Sequence, residues 1–190
     1  MNPSMDGKFS EGVVIGDKVY FAPWNAFNPI MLDTSLDPPE FSNLSSGWPS
    51  TGASTYVFSG IAAVGNKVYF APYNATDVII LNTTNNTFTS LSLNLTGSLK
   101  YGGAISVNTK VYFTPYNTNN VGILDTSQDP PTFTTTPTNT ASSAYWGAVV
   151  LDNKIYFPPF NENNVGVLDI GGSNPIFSTI SLPSDVTGNF

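Results

Sequence analysis

The chain has 190 residues, of which 41% are hydrophobic, so it is long and apolar enough to form one domain with a core. Only 10% of the residues are charged, the net charge is −7, and Lys is the only basic residue type. Nucleic acids and anionic membrane surfaces are bound through clustered basic residues, so this charge argues against both partners. No apolar run approaches the roughly 18 residues of a membrane span, and membrane insertion is therefore not expected.

The absence of Cys and His removes several classes of chemistry. Disulfides need Cys, nucleophilic triads need a base such as His, and zinc and copper sites usually need one of these two residue types. We therefore expect no catalytic residue, no cofactor and no metal. A hydrolase that uses a carboxylate pair is an alternative, although the spacing of Glu11, Glu40 and Glu162 does not single out a pair.

In chain order, the first repeat predicts four short strands. An apolar strand at 13–15 is followed by a two-residue Gly-Asp turn at 16–17, which is typical of a β-hairpin. The second strand is expected at 18–21 and the third at 30–32. A loop and a short strand around Phe41 complete the repeat.

The same order of elements recurs three more times with a period of about 45 residues. Each copy carries the motif Lys-(Val/Ile)-Tyr-Phe-x-Pro-aromatic-Asn, at 18–25, 67–74, 110–117 and 154–161. Four short strands in a unit of this size are typical of one blade of a β-propeller. The sequence therefore predicts an all-β protein, a β-propeller of four blades, each a four-stranded antiparallel sheet. In this prediction residues 1–190 form a single repeat domain, with blades at about 8–47, 56–93, 99–137 and 143–182.

The first strand of each repeat is almost continuously apolar, which indicates an inner strand buried on both faces by neighbouring blades. The Tyr and Phe of the motif are expected to pack in the wedge between blades. The linker from Ser45 to Thr55 is longer than the others and contains Trp48. Such a loop is either a contact site or a surface loop whose Trp packs down onto the protein.

These repeats resemble those of kelch-type propellers. The resemblance is carried by the Lys-(Val/Ile)-Tyr element, by the pair Gly102-Gly103, and by a later turn followed by an aromatic residue. Phe stands where the kelch family usually has Trp, at Phe41, Phe88, Phe133 and Phe177. The resemblance implies the propeller fold, whereas the Pro-aromatic-Asn element lies outside the general kelch pattern. The copper oxidases related to kelch propellers are unsuitable functional models because His and Cys are absent.

The Pro-aromatic-Asn loops are the best candidates for ligand binding, because equivalent loops of all blades emerge on one face of a propeller. Their side chains would form a ring of aromatic and amide groups that suits sugars or peptides, made of Trp24, Asn25, Tyr73, Asn74, Tyr116, Asn117, Phe160 and Asn161. The alternative interpretation is structural. In that case Asn shapes the turn and the aromatic ring packs on the neighbouring blade.

Two further sets of polar residues are candidate sites. Acidic residues recur in the loops after the third strands, at Asp33, Asp37, Asp125, Asp129 and Asp169. Asp oxygens can bind calcium, but none of these loops has an EF-hand spacing, and we favour Asp side chains that bond their own turn. Five Asn-X-Ser/Thr sequences are candidate glycosylation sites, at Asn43, Asn74, Asn82, Asn85 and Asn94.

The end of the chain, 187–190, resembles the segment 6–10 that opens the first repeat. Like ends indicate a longer array or copies that join end to end, because repeat units need neighbours to bury their faces. A head-to-tail contact would place Phe190 in the position that Phe58, Tyr101 and Tyr145 fill at the other junctions.

The function that the sequence favours is a non-catalytic structural or interaction module, which associates with a protein partner or with itself. Low charge and richness in Asn and Thr favour a surface-exposed role, extracellular or on a virion or filament. A propeller that binds glycans or peptides through the Pro-aromatic-Asn loops is the alternative, and a hydrolase is the second alternative.

Overall fold

A computed structural model describes residues 7–51, 55–93, 95–140 and 142–186 of the chain. These residues form four antiparallel sheets, each built from four strands in sequence order, so the predicted all-β architecture is confirmed. The described part of the chain contains no helix long and apolar enough to cross a membrane. The chain end at 187–190 and the glycosylation candidate Asn94 lie outside the described residues.

Each group of four consecutive strands forms one blade. Blade one contains β1 Phe9–Ile15, β2 Lys18–Pro23, β3 Ile30–Asp33 and β4 Glu40–Asn43. Blade two contains β5 Phe58–Val64, β6 Lys67–Pro72, β7 Asp77–Asn82 and β8 Thr87–Ser92. Blade three contains β9 Tyr101–Val107, β10 Lys110–Pro115, β11 Asn120–Asp125 and β12 Thr132–Pro137. Blade four contains β13 Val149–Leu151, β14 Lys154–Phe157, β15 Asn164–Asp169 and β16 Ile176–Ser181.

A two-residue turn closes the first hairpin of every blade, as the Gly-Asp pair predicted for blade one. The residues that flank the turn pair across it, as Ile15 does with Lys18. The first turn residue has a positive φ in every blade, at Gly16, Gly65, Asn108 and Asp152. Because left-handed backbone is tolerated best by Gly, Asn and Asp, the turn geometry accounts for these residue types.

Every blade has two packing faces, because side chains alternate along a strand. We call the face toward the preceding blade the leading face and the face toward the following blade the trailing face. In blade two, Val68, Phe70 and Leu81 lie on the leading face. Tyr69 and Ile80 lie on the trailing face. The trailing face of one blade thus packs on the leading face of the next.

Three apolar cores lie between the four blades. The first joins blades one and two, the second joins blades two and three, and the third joins blades three and four. The inner strands pack in the same order, β1 on β5 and β5 on β9. Within the described residues, no core of this kind joins blade four to blade one. The blades therefore form a row with two end faces.

The Tyr of the motif packs between blades, as predicted, wherever a following blade is present. Tyr20, Tyr69 and Tyr112 are 2%, 1% and 4% exposed on the trailing faces of blades one to three. Tyr156 in blade four is only half-buried. The repeat pattern predicts which Tyr points toward the following blade, but the Tyr side chain is buried only where that blade is present.

The prediction that every first strand is buried on both faces is wrong for the two end blades. β5 and β9 are buried over most of their length. β1 alternates between half-buried and exposed residues, and every residue of β13 is exposed. An inner strand is buried on both faces only when a blade packs on each side of it, which holds for blades two and three.

Three of the five candidate Asp residues, Asp33, Asp125 and Asp169, bond their own turns, as favoured from the sequence. Asp33 accepts a hydrogen bond from the backbone N–H of Ser35 at 3.0 Å, and Asp125 accepts one from Ser127 at 3.0 Å. The ion pair with Lys18, together with the bonds from Ser35, lowers the pKa of Asp33 to about 2. Among the described residues, no three acidic side chains gather into a potential metal site.

Trp48, in the long linker before blade two, packs onto the protein. The Trp48 ring lies 5.7 Å from Phe58, 5.5 Å from Phe70 and 5.1 Å from Phe88, measured between ring centroids. All three rings belong to blade two, so Trp48 extends the first interblade core. Of the two interpretations of this loop, the structure supports the surface loop whose Trp is packed.

Candidate functional site

The aromatic rings of the four motifs meet at one end of the propeller, as expected for equivalent loops. The ring centroids of Trp24 and Tyr73 are 4.8 Å apart, and those of Tyr73 and Tyr116 are 5.5 Å apart. Tyr116 and Phe160 are also separated by 5.5 Å. Each ring follows the Pro at the end of a second strand or its equivalent in blade four, so the repeat itself brings the rings together.

A fifth ring, which the sequence analysis missed, lies among these four. Trp146 is 5.6 Å from Trp24, 5.8 Å from Tyr73, 5.5 Å from Tyr116 and 6.1 Å from Phe160. We call these five residues the aromatic cluster. Blades one to three have Ser10, Ser59 and Gly102 at the position of Trp146. The sequence feature that could have revealed Trp146 is therefore a departure from the repeat. Blade four has a bulky ring at a position where the other blades have a small residue.

The aromatic cluster has a buried interior and an accessible rim. Tyr73 and Tyr116 are 5% and 8% exposed, whereas Phe160 is 43% exposed and Trp24 is half-buried. Tyr56, 44% exposed, extends the rim with its ring 5.0 Å from Trp24. Burial raises the pKa of Tyr73 above its ordinary value.

Three of the four motif Asn side chains connect one blade to the next. Each accepts a hydrogen bond from a backbone N–H of the following linker, Asn25 from Tyr56 (3.2 Å), Asn74 from Leu99 (3.0 Å) and Asn117 from Ser143 (2.7 Å). The donor residues all have positive φ, of 50°, 56° and 56°. Left-handed backbone is uncommon for such residues, so a fixed acceptor helps to hold the linker in this conformation.

Backbone hydrogen bonds from the motif aromatics reinforce these connections. The carbonyl oxygens accept N–H groups of the next blade, Trp24 from Val57 (3.0 Å), Tyr73 from Lys100 (2.9 Å) and Tyr116 from Ala144 (2.9 Å). The polar groups beside the aromatic cluster therefore bind neighbouring blades, which supports the structural interpretation of Asn25, Asn74 and Asn117. Asn161 is exposed. Ligand binding by the eight motif residues stays a prediction.

The described glycosylation candidates differ in accessibility. Asn43 and Asn85 are exposed, whereas Asn82 and Asn74 are half-buried. The Asn74 amide nitrogen, to which a glycan would be attached, donates a hydrogen bond to the carbonyl of Thr55 at 3.2 Å. Asn43 and Asn85 are therefore the better placed of these sites, and Asn74 is the least suited.

The three Glu residues lie in different surroundings. The Glu11 carboxylate accepts a hydrogen bond from the backbone N–H of Ile61 at 3.1 Å. Burial raises the pKa of Glu11, and backbone bonds from Ile61 and Ala104 partly oppose that shift. Glu40 begins the outermost strand of blade one, while Glu162 accepts a bond from a side-chain amide in blade four. The hydrolase alternative gains no assembled carboxylate pair from these contacts.

Comparison with known proteins identifies the fold class. No protein-family model and no curated protein matches the chain, so the kelch resemblance stays a prediction at the family level. Solved structures of the propeller type do match, which confirms the predicted β-propeller of four blades. At these low sequence identities the similarity shows the fold alone.

Three of the matching structures show how different the proteins with this fold are. Virginiamycin B lyase from Staphylococcus aureus is 16% identical with a TM-score of 0.75, and the match covers 97% of this chain and 59% of the lyase. YjhT is 14% identical with a TM-score of 0.68, covering 98% of this chain and 68% of YjhT. An auxiliary nutrient binding protein from Bacteroides ovatus is 11% identical with a TM-score of 0.63, covering 90% and 46%. The chain thus spans well under two thirds of the lyase.

Proposed function

We propose that the chain is a non-catalytic interaction module that binds a protein partner through the apolar faces of its end blades. The observation that carries this proposal is the trailing face of blade four. Val149 and Leu151 on its inner strand are 57% and 62% exposed, and Ile176 and Ile180 on its outer strand are 67% and 56% exposed. Several exposed apolar side chains on one face of a sheet are typical of interaction sites.

The leading face of blade one is the second such surface. Val14 and Phe41 are 63% and 67% exposed there. Phe9, Val19 and Phe21 are half-buried beside them. The two end faces therefore offer apolar area at opposite ends of the row of blades.

Several acidic side chains serve the fold. For example, Asp33, Asp125 and Glu11 each accept a hydrogen bond from a backbone N–H group. Structures with this fold include a lyase and a nutrient binding protein, so the fold is compatible with either role. The location outside the cell, or on a virion or filament, stays a prediction from composition.

A binding screen tests the proposal. The chain and its Leu151→Asp and Phe41→Asp variants are screened against a displayed peptide library, a glycan array and a panel of chromogenic glycosides and esters. We expect peptide binding that Leu151→Asp or Phe41→Asp abolishes, and no turnover. Turnover of a substrate by the intact chain would contradict the proposal, as would peptide binding that both variants retain.

The second candidate is a glycan- or peptide-binding site on the aromatic cluster. It is favoured by the accessible rim, where Tyr56 and Phe160 are 44% and 43% exposed beside the half-buried Trp24, since aromatic rings can stack on a sugar. Trp24→Ala and Phe160→Ala would then abolish glycan-array signals. The matched control is Phe27→Ala, an aromatic residue that is 84% exposed outside the cluster.

A further inference from the structure

We propose that the partner of the end faces is a second copy of this chain, with the trailing face of blade four packed on the leading face of blade one of the other copy. This inference rests on the proposed function and names its partner. The argument is continuity with an existing interface, because the chain already forms the same contact three times between its own blades.

The trailing face of blade four repeats a face that is buried elsewhere in the chain. Val149 pairs with Tyr156 across β13 and β14. The equivalent pair in blade one is Val13 and Tyr20, and both residues pack in the core against blade two. Blade four therefore presents the side chains, in the register, that blade one uses to bind its neighbour.

The leading face of blade one likewise repeats a buried face. Phe9 and Phe21 are in contact, with ring centroids 6.2 Å apart. Phe58 and Phe70 form the same contact in blade two at 5.7 Å, and both are 0% exposed because blade one covers them. No blade precedes Phe9 and Phe21 in the described part of the chain, and they are only half-buried.

The outer strand shows the same contrast. Phe88, Phe133 and Phe177 each pack against the core formed with the preceding blade. Phe41 holds the equivalent place in blade one and is 67% exposed. A preceding blade would cover it, and blade four of a second copy has the face to do so.

A polar contact at the interfaces supplies an independent observation. The Tyr20 hydroxyl lies near the Thr83 side chain of the next blade, and the Tyr69 hydroxyl lies near Thr126. Each of these Thr side chains also donates to a backbone carbonyl in the turn before the second strand of its own blade, at 2.9 and 2.7 Å. The Tyr and Thr together mark a specific register between two blades.

The two end faces each carry one residue of this Tyr–Thr pair, Thr34 on blade one and Tyr156 on blade four. Thr34 in blade one donates to the carbonyl of Asp17 at 2.8 Å, in the same way as its equivalents in blades two and three. Tyr156 in blade four is the equivalent of Tyr20 and Tyr69. At the proposed interface Tyr156 of one copy meets Thr34 of the other, so the contact is specific as well as apolar.

This contact is heterologous, because it joins two different surfaces. It closes into a ring if the rotation between copies permits and otherwise propagates as an open filament. Either assembly grows by one interface for each added copy. An isologous dimer through two identical faces is the competing geometry.

Sedimentation velocity over a wide concentration range tests the inference. We expect the intact chain to form assemblies that dissociate on dilution. Leu151→Asp and Phe41→Asp each alter a residue that is mostly exposed, so each variant folds. Each variant alone stays monomeric, because the contact needs both faces and one of them is lost. Phe27→Asp, at an 84% exposed site in the loop that joins β2 to β3, is the matched control and retains assembly.

Mixing the two variants distinguishes the geometries. The Leu151→Asp chain keeps a functional leading face, and the Phe41→Asp chain keeps a functional trailing face. Each alone stays monomeric and the mixture forms a heterodimer that grows no further. Self-association of either variant alone, through two identical faces, would overturn the heterologous contact.

The hydroxyl contact has its own measurement. Tyr156→Phe should weaken the association by about 2- to 10-fold, the effect of losing one hydrogen bond. An unchanged association constant would contradict the Tyr156–Thr34 contact. An intact chain that is monomeric at every concentration would overturn the whole inference. Peptide binding that still depends on Leu151 would then leave the proposed function standing, so the two failures are distinguishable.

Discussion

Blades two and four carry nearly the same sequence pattern but differ sharply in burial. β6 in blade two is buried from its second residue onward, whereas β14 alternates between buried and less buried residues. The inner strand β5 is largely buried and β13 is exposed. Blade two packs against a neighbour on both faces and blade four on one. The difference shows that each repeat unit has two apolar packing faces. The position of the blade in the row decides whether both faces are covered.

The largest effect expected from this comparison concerns the motif Tyr. Tyr69→Ala in blade two should reduce the free energy of unfolding by about 3–5 kcal/mol, because its side chain is almost fully buried. Tyr156→Ala in blade four should cost about 1–2 kcal/mol, because half-burial removes less area from water. Denaturant unfolding at low protein concentration measures both. Equal costs would show that the two blades are equally supported.

The Asn side chains provide a second comparison. Asn74→Ala should cost about 1–3 kcal/mol, because it leaves the N–H of Leu99 and the carbonyl of Thr55 without their partner. Asn161→Ala, at an exposed position of blade four, should change stability by less than about 0.5 kcal/mol. Thermal and denaturant unfolding should agree on this order. A larger loss for Asn161→Ala would contradict the bridging role.

Glu11 tests the first interface by its pH dependence. Burial raises its folded-state pKa above the unfolded value, so ionisation of Glu11 destabilises the fold as pH rises through that folded pKa. Glu11→Gln keeps an oxygen for the N–H of Ile61 but cannot ionise. Its stability relative to the intact chain should therefore increase from about pH 4 to pH 7, with the unfolded carboxyl titrating near 4.3. A pH-independent difference would contradict buried ionisation.

Lys100 and Lys8 give the smallest expected effect. They hold equivalent places, but Lys100 is 2% exposed and Lys8 is exposed. Burial lowers the pKa of Lys100, so its charge is disfavoured in the folded state, although its amine donates to the carbonyl of Gly97 at 2.9 Å. Lys100→Met should stabilise the fold slightly at neutral pH.

That gain should shrink as pH rises toward the ordinary Lys value of about 10.4, where the unfolded amine also loses its proton. Lys8→Met should leave stability unchanged within about 0.5 kcal/mol. Urea unfolding at neutral and alkaline pH measures the two variants together. Destabilisation by Lys100→Met at neutral pH would show that the bond to Gly97 outweighs the desolvation of the amine.

The sequence by itself determined the repeat, the strands and the turns, because these depend on local pattern. The motif from Lys18 to Asn25 and its three copies mark the second strands, and the turn residues match the left-handed backbone found at Gly16 and Asp152. The burial of Tyr20, Tyr69 and Tyr112 also followed from pattern, since each is an aromatic residue in a strand of a repeat that is followed by another repeat.

Only the tertiary structure decided which surfaces stay exposed and which polar groups stay accessible. Trp146 joins the aromatic cluster because blade four brings it opposite Trp24, a contact between residues far apart in the chain. Asn25, Asn74 and Asn117 accept hydrogen bonds from linkers that follow them by more than twenty residues. The motif alone therefore did not predict these hydrogen bonds. The exposure of Leu151 and Phe41 has the same origin, because the burial of a sheet face depends on what packs against it and local sequence does not encode that neighbour.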